Sequence, residues 1–297
     1  MRLPAFAPRT GLIVLAAAVL AACGKPEVPN IGFAPYERNY QSKLDLAQVD
    51  HTYPIPPAEL AKITPEWLAK LDQEQLDQIY ARLPAGPIPD GAFDGRILLP
   101  RGESGKFRLS ELVGGFTGTA LHLKGLVVED IGEALWRGKV FFRDERVLRN
   151  RIEDLTILKK VGLVEGEPKK MSYGGKETWL LFPAKLYCGQ SLLDARRESI
   201  IIDYFFSDEI PGYQESPDFL AGRRGLKVRD EIRMIRPGFY LGRAYLDRAF
   251  ALNFTLHDKA TDDKAREEFV RTGKVQEECW PGTQRRTVVA AAAKAAY

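Results

Sequence analysis

The sequence is short of the residues on which most metal and covalent chemistry depends. Its 297 residues contain three cysteines and three histidines. His51, His122 and His257 are single and far apart, and no Cys/His spacing fits a metal site. There is no G-x-S-x-G elbow, no H-E-x-x-H helix, no phosphate loop and no dinucleotide glycine fingerprint. Gly212 and Gly222 read as ordinary loop glycines, and Ser191, Ser199 and Ser207 lack the setting of a nucleophile. The chain therefore calls for no cofactor and no metal, and no catalytic residue is identified. Basic runs are missing too. Lys and Arg number 43 against 40 Asp and Glu, a near-balanced surface that gives no reason to expect a nucleic acid partner. The apolar stretch from Gly11 to Ala22 is about a dozen residues, short of the roughly 20 that a spanning helix needs.

That stretch follows a short basic start, Arg2 and Arg9, and ends in Leu20-Ala21-Ala22-Cys23. It reads as a signal-peptide core. The ending resembles the lipobox of bacterial lipoproteins, in which the Cys is lipidated and becomes the mature N-terminus. The resemblance implies a membrane anchor at Cys23, since buried acyl chains contribute about 0.8 kcal/mol per CH₂. In that family an Asp after the Cys favours the inner membrane. Gly24 stands there instead and points to the outer membrane, with the protein facing the periplasm. An ordinary signal peptide with a chance Cys is the alternative.

Residues 1–22 are thus read as signal peptide and 23–58 as a flexible tether rich in Pro, Asn, Gln and charge. The aromatics Phe33, Tyr36 and Tyr40 leave open a second reading, in which this segment packs along the domain. A helix opens at Thr64-Pro65-Glu66, with a capping Thr, a Pro at the first turn and an acidic residue at the positive end of the dipole. Trp67, Leu68, Leu71, Leu76, Ile79, Tyr80 and Leu83 continue its apolar stripe. A short strand is expected over 96–99, after the turn-rich Pro89 to Gly95, and a glycine-weakened helical region over 109–135.

From Gly138 the pattern becomes β. Runs at 138–143, 147–153, 179–187, 199–206, 228–236, 239–246 and 249–257 are rich in Ile, Val, Phe and Tyr and are separated by turn residues. Short connections imply antiparallel pairing, and about eight strands suffice to close a small barrel. The expected fold class is α+β: N-terminal helices on or beside an antiparallel barrel spanning 59–260, with a helix and an Ala-rich tail over 261–297. With Cys23 taken by the anchor, Cys188 and Cys279 remain, either as a disulfide or as two separate buried thiols.

Polar residues inside the strand runs are the candidates for function. Both faces of 199–206 are apolar, which places Asp203 in a covered strand, and Asp230 falls on the more apolar face of 228–236. A buried carboxylate needs a cation or several hydrogen bonds, available from Arg229, Arg233 or Arg243. Three readings follow: an ion-pair network that sets barrel register, a polar patch that orients a ligand head group in an apolar lumen, or a catalytic acid/base pair.

A set of segments in order carries a resemblance. Gly132-Glu133-Ala134-Leu135-Trp136-Arg137-Gly138-Lys139-Val140-Phe141 precedes Asn150-Arg151-Ile152 and Ala184-Lys185-Leu186-Tyr187. Ile200-Ile201-Ile202-Asp203-Tyr204, Val228-Arg229-Asp230-Glu231-Ile232-Arg233 and Pro237-Gly238-Phe239-Tyr240-Leu241-Gly242 follow. Over about 126–256 this order resembles uncharacterised bacterial proteins with W-x-G-K, I-D-Y and I-R-D-E-I-R…P-G-x-Y-L-G elements. It is distantly similar to G-x-W-x-G proteins and the wider lipocalin-like group. The long helical N-terminal half and the inboard position of Trp136 depart from the lipocalin pattern. The resemblance implies an antiparallel barrel that holds an apolar small molecule.

The leading expectation is a lipid-anchored module that binds or transfers a lipid or other hydrophobic molecule, with Asp203, Asp230, Arg229, Arg243, Tyr240 and Trp136 as candidate ligand-binding residues. An envelope hydrolase or isomerase is the alternative, with Asp203, Asp230 and Tyr240 as first suspects. A third reading is a non-catalytic scaffold subunit, which requires a filled barrel and an exposed apolar patch on the 64–83 helix.

Overall fold

The period-2 alternation of the β runs dictates the architecture. In the computed structural model, residues 27–36, 44–99, 101, 136–160, 162, 164 and 166–282 are described. The expected signal peptide, Cys23, the helical region over 109–135 and the Ala-rich tail fall largely or wholly outside them. No helix among the described residues is long and apolar enough to cross a membrane.

Among the described residues nine strands form, in chain order β1 (Gly91–Leu98), β2 (Trp136–Phe142), β3 (Val147–Ile152), β4 (Met171–Tyr173) and β5 (Lys176–Gln190). They continue with β6 (Glu198–Asp203), β7 (Val228–Arg236), β8 (Phe239–Leu246) and β9 (Ala249–His257). All pairings are antiparallel. β1 pairs with both β2 and β9, and β3 pairs with β5, so eight strands close into a lipocalin-like up-and-down barrel. The three-residue β4 pairs only with β5, within 176–178, and forms a hairpin beyond the ring.

β1 starts five residues earlier than its apolar run suggests. Gly91 to Asp94 already pair with β2, because Gly91 holds a φ of 85° that the turn-like composition supplies. β7, β8 and β9 lie where their alternation places them. Asp230, Ile232 and Met234 of β7 and Tyr240 of β8 point inwards, beside Phe254 and Leu256 of β9. Ile235, Phe239 and Leu241 point outwards, into a second apolar layer.

That outer layer is covered by helices: α1 (Leu46–Thr52), α2 (Pro57–Leu60), α3 (Pro65–Leu68), α4 (Gln73–Arg82) and, after the barrel, α7 (Lys259–Thr272). The stripe expected as one helix over 64–83 is broken into α3 and α4. Asp72 opens a new helix there, its N–H donating to Gln75 Oε1 at 3.0 Å. Leu76, Ile79 and Tyr80 are fully buried, and no large apolar side chain between 64 and 83 is exposed, against the surface a scaffold reading requires. The segment 23–58 is not a free tether over its described part. Gln78 of α4 exchanges two hydrogen bonds with the backbone of Ala34, at 2.9 and 3.0 Å, and Tyr36 donates to Asp72 at 2.9 Å. Two short helices, α5 (Thr156–Lys160) and α6 (Glu215–Asp218), lie in the long connections at the barrel's ends.

Three buried arginines fasten the helices to the outer face. Arg233 donates to Ser199 Oγ at 2.9 Å and to the carbonyls of Tyr80, Asp194 and Arg197 at 2.9–3.2 Å. Arg243 binds Asp77 of α4 and the Tyr245 hydroxyl. Arg236 holds the carbonyls of Leu60 and Ile63 and, at 2.8 and 2.9 Å, the carboxylate of Asp262 in α7. Cys188 of β5 is joined to Cys279 in a disulfide that straps the segment after α7 to the barrel.

Asp262 is fully buried. Burial raises its pKa, but hydrogen bonds from His257, Arg236 and Arg266 outweigh that and hold the carboxyl well below the usual range. A depressed folded-state pKa gives stability that is present above the ordinary value of 3.8 and is lost as pH falls below it. Asp262→Asn, which leaves Arg236 buried without its anion, is expected to cost about 3–5 kcal/mol at neutral pH. In urea titrations the gap between wild type and variant should narrow as pH drops below 3.8. A pH-independent gap would assign the effect to packing.

Candidate functional site

Among the described residues, the two ends of the barrel lumen differ. At one end Phe93, Phe141 and Tyr240 stack edge to face, with centroids 5.4 and 5.8 Å apart, and the Tyr240 hydroxyl donates to Pro87 O at 2.8 Å. At the other end lies a cavity of about 240 Å³. Its walls are mostly apolar (Ile152, Phe182, Val228, Trp136), and Leu220, Ala221 and Leu226 of the β6–β7 connection also line it.

Among the described residues that line this cavity, Lys139 is the one cation. The Lys139 ammonium is 3% exposed and donates to Asp230 Oδ2 at 2.9 Å, Tyr204 Oη at 2.6 Å and Asn150 Oδ1 at 2.8 Å. All three of its N–H bonds are thereby used. Trp136, Tyr204 and Phe254 ring it, with centroids 5.3–5.4 Å from Nζ. The shell around it is itself held. Trp136 Nε1 donates to Asn150 Oδ1 at 2.9 Å, and Asn150 Nδ2 donates to Tyr204 Oη at 3.0 Å and to Phe182 O at 3.1 Å.

The backbone explains how Trp136 and Lys139 reach the same space. Residues three apart on a regular strand face opposite sides. A bulge between Trp136 and Gly138 shifts the register by one and turns both side chains into the lumen. Gly138 has φ 133°, and a Cβ there would lie 2.0 Å from Phe93 O, so the bulge requires glycine. Gly95 on β1 leaves room for the Trp136 ring, which would otherwise come within 2.5 Å of a Cβ. A second irregularity puts Phe182 of β5 at φ 52°. Its carbonyl meets Asn150, and its N–H donates to Asp218 Oδ1 at 2.7 Å. Asp218, fully buried at the end of α6, thereby ties the β6–β7 connection to the barrel rim. Burial raises its pKa.

Burial also pulls the Lys139 ammonium below its ordinary pKa, against the attraction of Asp230. The Tyr204 hydroxyl is pushed well up, first by burial and then by the charge of Asp230, so it remains a neutral donor and acceptor. The arrangement can anchor one polar atom of an otherwise apolar molecule, and it can move a proton among an amine, a phenol and a carboxylate.

Of the residues singled out from sequence, Asp230 and Trp136 line this cavity. Tyr240 is in the lumen, but at the filled end. Asp203 faces outwards, accepting from Tyr187 Oη at 2.8 Å and Phe205 N at 2.9 Å. Arg229 is also outside, donating to Gln190 O at 2.8 Å and to Glu231 at 3.3 Å. Arg243 is buried on the outer face under α4. The expected pairing of Asp203 and Asp230 with Arg229, Arg233 or Arg243 is therefore replaced by Asp230–Lys139. Alternation is the reason, because Arg229 and Arg233 flank the inward positions of β7. Lys139, Asn150 and Tyr204 were not singled out, although W-x-G-K, N-R-I and I-D-Y contain them.

Two other places merit comparison. A cavity of about 570 Å³ beside the disulfide is lined by Arg143, Arg146 and Glu278, whose charges pair with one another. Among the described residues, Cys188, Glu198 and Cys279 have potential metal-ligating atoms within 4.8 Å of one another. Their sulfurs are bonded together and lack the thiolate charge a metal needs.

No family model, curated protein or solved structure matches this chain.

The Lys139–Asp230 pair sits where removing one charge strands the other. Asp230→Leu and Lys139→Met are each expected to cost about 3–5 kcal/mol, and Lys139→Met/Asp230→Leu together less than the sum. Urea midpoints of the four proteins measure the coupling. Additive losses would show that the two groups act independently.

Proposed function

We propose that the protein binds one small hydrophobic molecule in this barrel cavity, with the molecule's polar atom against the Lys139–Asp230–Tyr204–Asn150 cluster. The observation that carries this reading is an apolar cavity whose described lining holds one polar cluster, the usual anatomy of a ligand site. The volume of about 240 Å³ is just under the roughly 300–1,000 Å³ of common ligand pockets, which favours a single-chain or single-ring compound over a whole phospholipid. Asp203, Arg229 and Arg243, on the outer face, have no part in it. The lipobox-like Leu20-Ala21-Ala22-Cys23 supports a lipoprotein anchored in the envelope, on the periplasmic side of the outer membrane, which would keep the cavity beside a source of hydrophobic ligands.

Native mass spectra of the full chain, set against a solvent extract of the same preparation, test the binding reading. A stoichiometric apolar compound should co-purify. Ala221→Trp, which fills the cavity from its β6–β7 side, should abolish retention at a stability cost of about 1–3 kcal/mol. A chain that is empty and refuses fatty acids and other single-chain lipids would overturn the reading. The anchor has its own check in the intact mass of membrane-extracted protein. That mass should correspond to a chain starting at Cys23 with acyl groups attached, and Cys23→Ser should release the protein from the membrane fraction.

A further inference from the structure

We propose that Lys139 captures an apolar aldehyde or unhindered ketone as an imine, so that the cavity holds carbonyl compounds covalently and reversibly. This rests on reading the cavity as a ligand site and names the class of ligand it takes. Four observations converge on it. Lys139 lines the cavity and is 3% exposed, whereas a solvated lysine has water as its competitor for any carbonyl. Its nitrogen lies 2.9 Å from a carboxylate able to accept its proton. A phenol stands 2.6 Å away, able to relay a proton between nitrogen and oxygen. The rings of Trp136, Tyr204 and Phe254 surround the charge, and such faces stabilise an iminium as they do an ammonium. A purely structural cation needs the carboxylate, but it has no use for an adjoining apolar cavity.

The step balances with no other reactant. The ammonium gives a proton to Asp230, and the freed lone pair forms the N–C bond as the carbonyl π bond breaks onto oxygen. Tyr204 passes one proton from the nitrogen to that oxygen, giving the neutral carbinolamine. Asp230 returns its proton to the hydroxyl, the C–O bond breaks and water leaves. A protonated imine remains, paired with the Asp230 carboxylate as the ammonium was. Nothing is oxidised or reduced, and water reverses the sequence. Burial, which lowers the ammonium's pKa, raises the share of neutral amine available for the first step.

Octanal is the probe. The full chain is incubated with one equivalent, the imine is trapped with cyanoborohydride, and the digest is mapped for octyl-lysine. Lys139 should be labelled at least about tenfold more than any other lysine, because the carboxylate and phenol beside its nitrogen carry the protons of the addition. Tyr204→Phe should slow trapping by about a hundredfold, the lower end of what a positioned proton relay contributes. Labels spread over surface lysines with Lys139 bare would overturn the proposal, and the wild-type map decides this even if Lys139→Met fails to fold. Calorimetric binding of octanol, which has the same chain without the carbonyl, separates the two readings. Octanol binding without an octanal adduct sinks the carbonyl chemistry and leaves the binding function standing. Neither octanol binding nor adduct sinks both.

Discussion

The antiparallel pairing of β1 with β9 is the contact on which the rest of the structure depends. Asp94 to Leu98 bond to Asn253 to His257, the first stave of the ring to the last. A sheet of eight strands left open would present two unpaired edges and a solvated inner face. Closure removes the edges and creates an inside, where a lysine can be kept from water and made to rely on one aspartate. It also creates an outside that still needs covering, because Ile235, Phe239 and Leu241 are as apolar as the residues they alternate with. The helical layer answers that need, and Arg233, Arg236 and Arg243 hold it in place through buried carbonyls and carboxylates of the helices and loops.

The two faces of β7 and β8 divide the work of charge. Outside, guanidinium groups with many donors act as clamps, each satisfying several acceptors on neighbouring segments. Inside, a single ammonium on β2 meets a single carboxylate on β7, and their mutual shell is drawn from β3 and the residue after β6. A cluster assembled from four different staves exists only when the ring is in register. A slip of one residue in any of them would send its member to the other face.

Much of this order is legible in the chain. β7, β8 and β9 begin and end where the alternation and the turns Arg236-Pro237-Gly238 and Leu246-Asp247-Arg248 say they should. The break between α3 and α4 was hidden because Leu71 and Leu76 keep an apolar stripe going across a capped junction at Asp72. The docking of residues 27–36 is half legible, because Phe33 and Tyr36 are aromatic side chains that suit packing on the domain, whereas the hydrogen bonds to the backbone of Gly32 and Ala34 carry no sequence signal. The site was half legible. Asp230 follows from simple alternation, but Lys139 sits one residue out of phase with Trp136 until the bulge at Gly138 corrects it. Period-2 reasoning cannot see a bulge. The glycine of W-x-G-K was the available clue, being the residue type that such a kink demands. Asp203 drew attention as the charged member of I-D-Y, while the residue that enters the lumen is its neighbour, Tyr204.

The disulfide has a consequence of a different kind. Cys188 and Cys279 enclose β6, β7, β8 and β9 in one covalent loop, together with the β6–β7 connection that borders the cavity. A peptide bond cut anywhere inside that loop yields no separate fragment. The nicked chain keeps its connectivity from the first stave of the ring to the last, and half of the barrel cannot drift away from the other half.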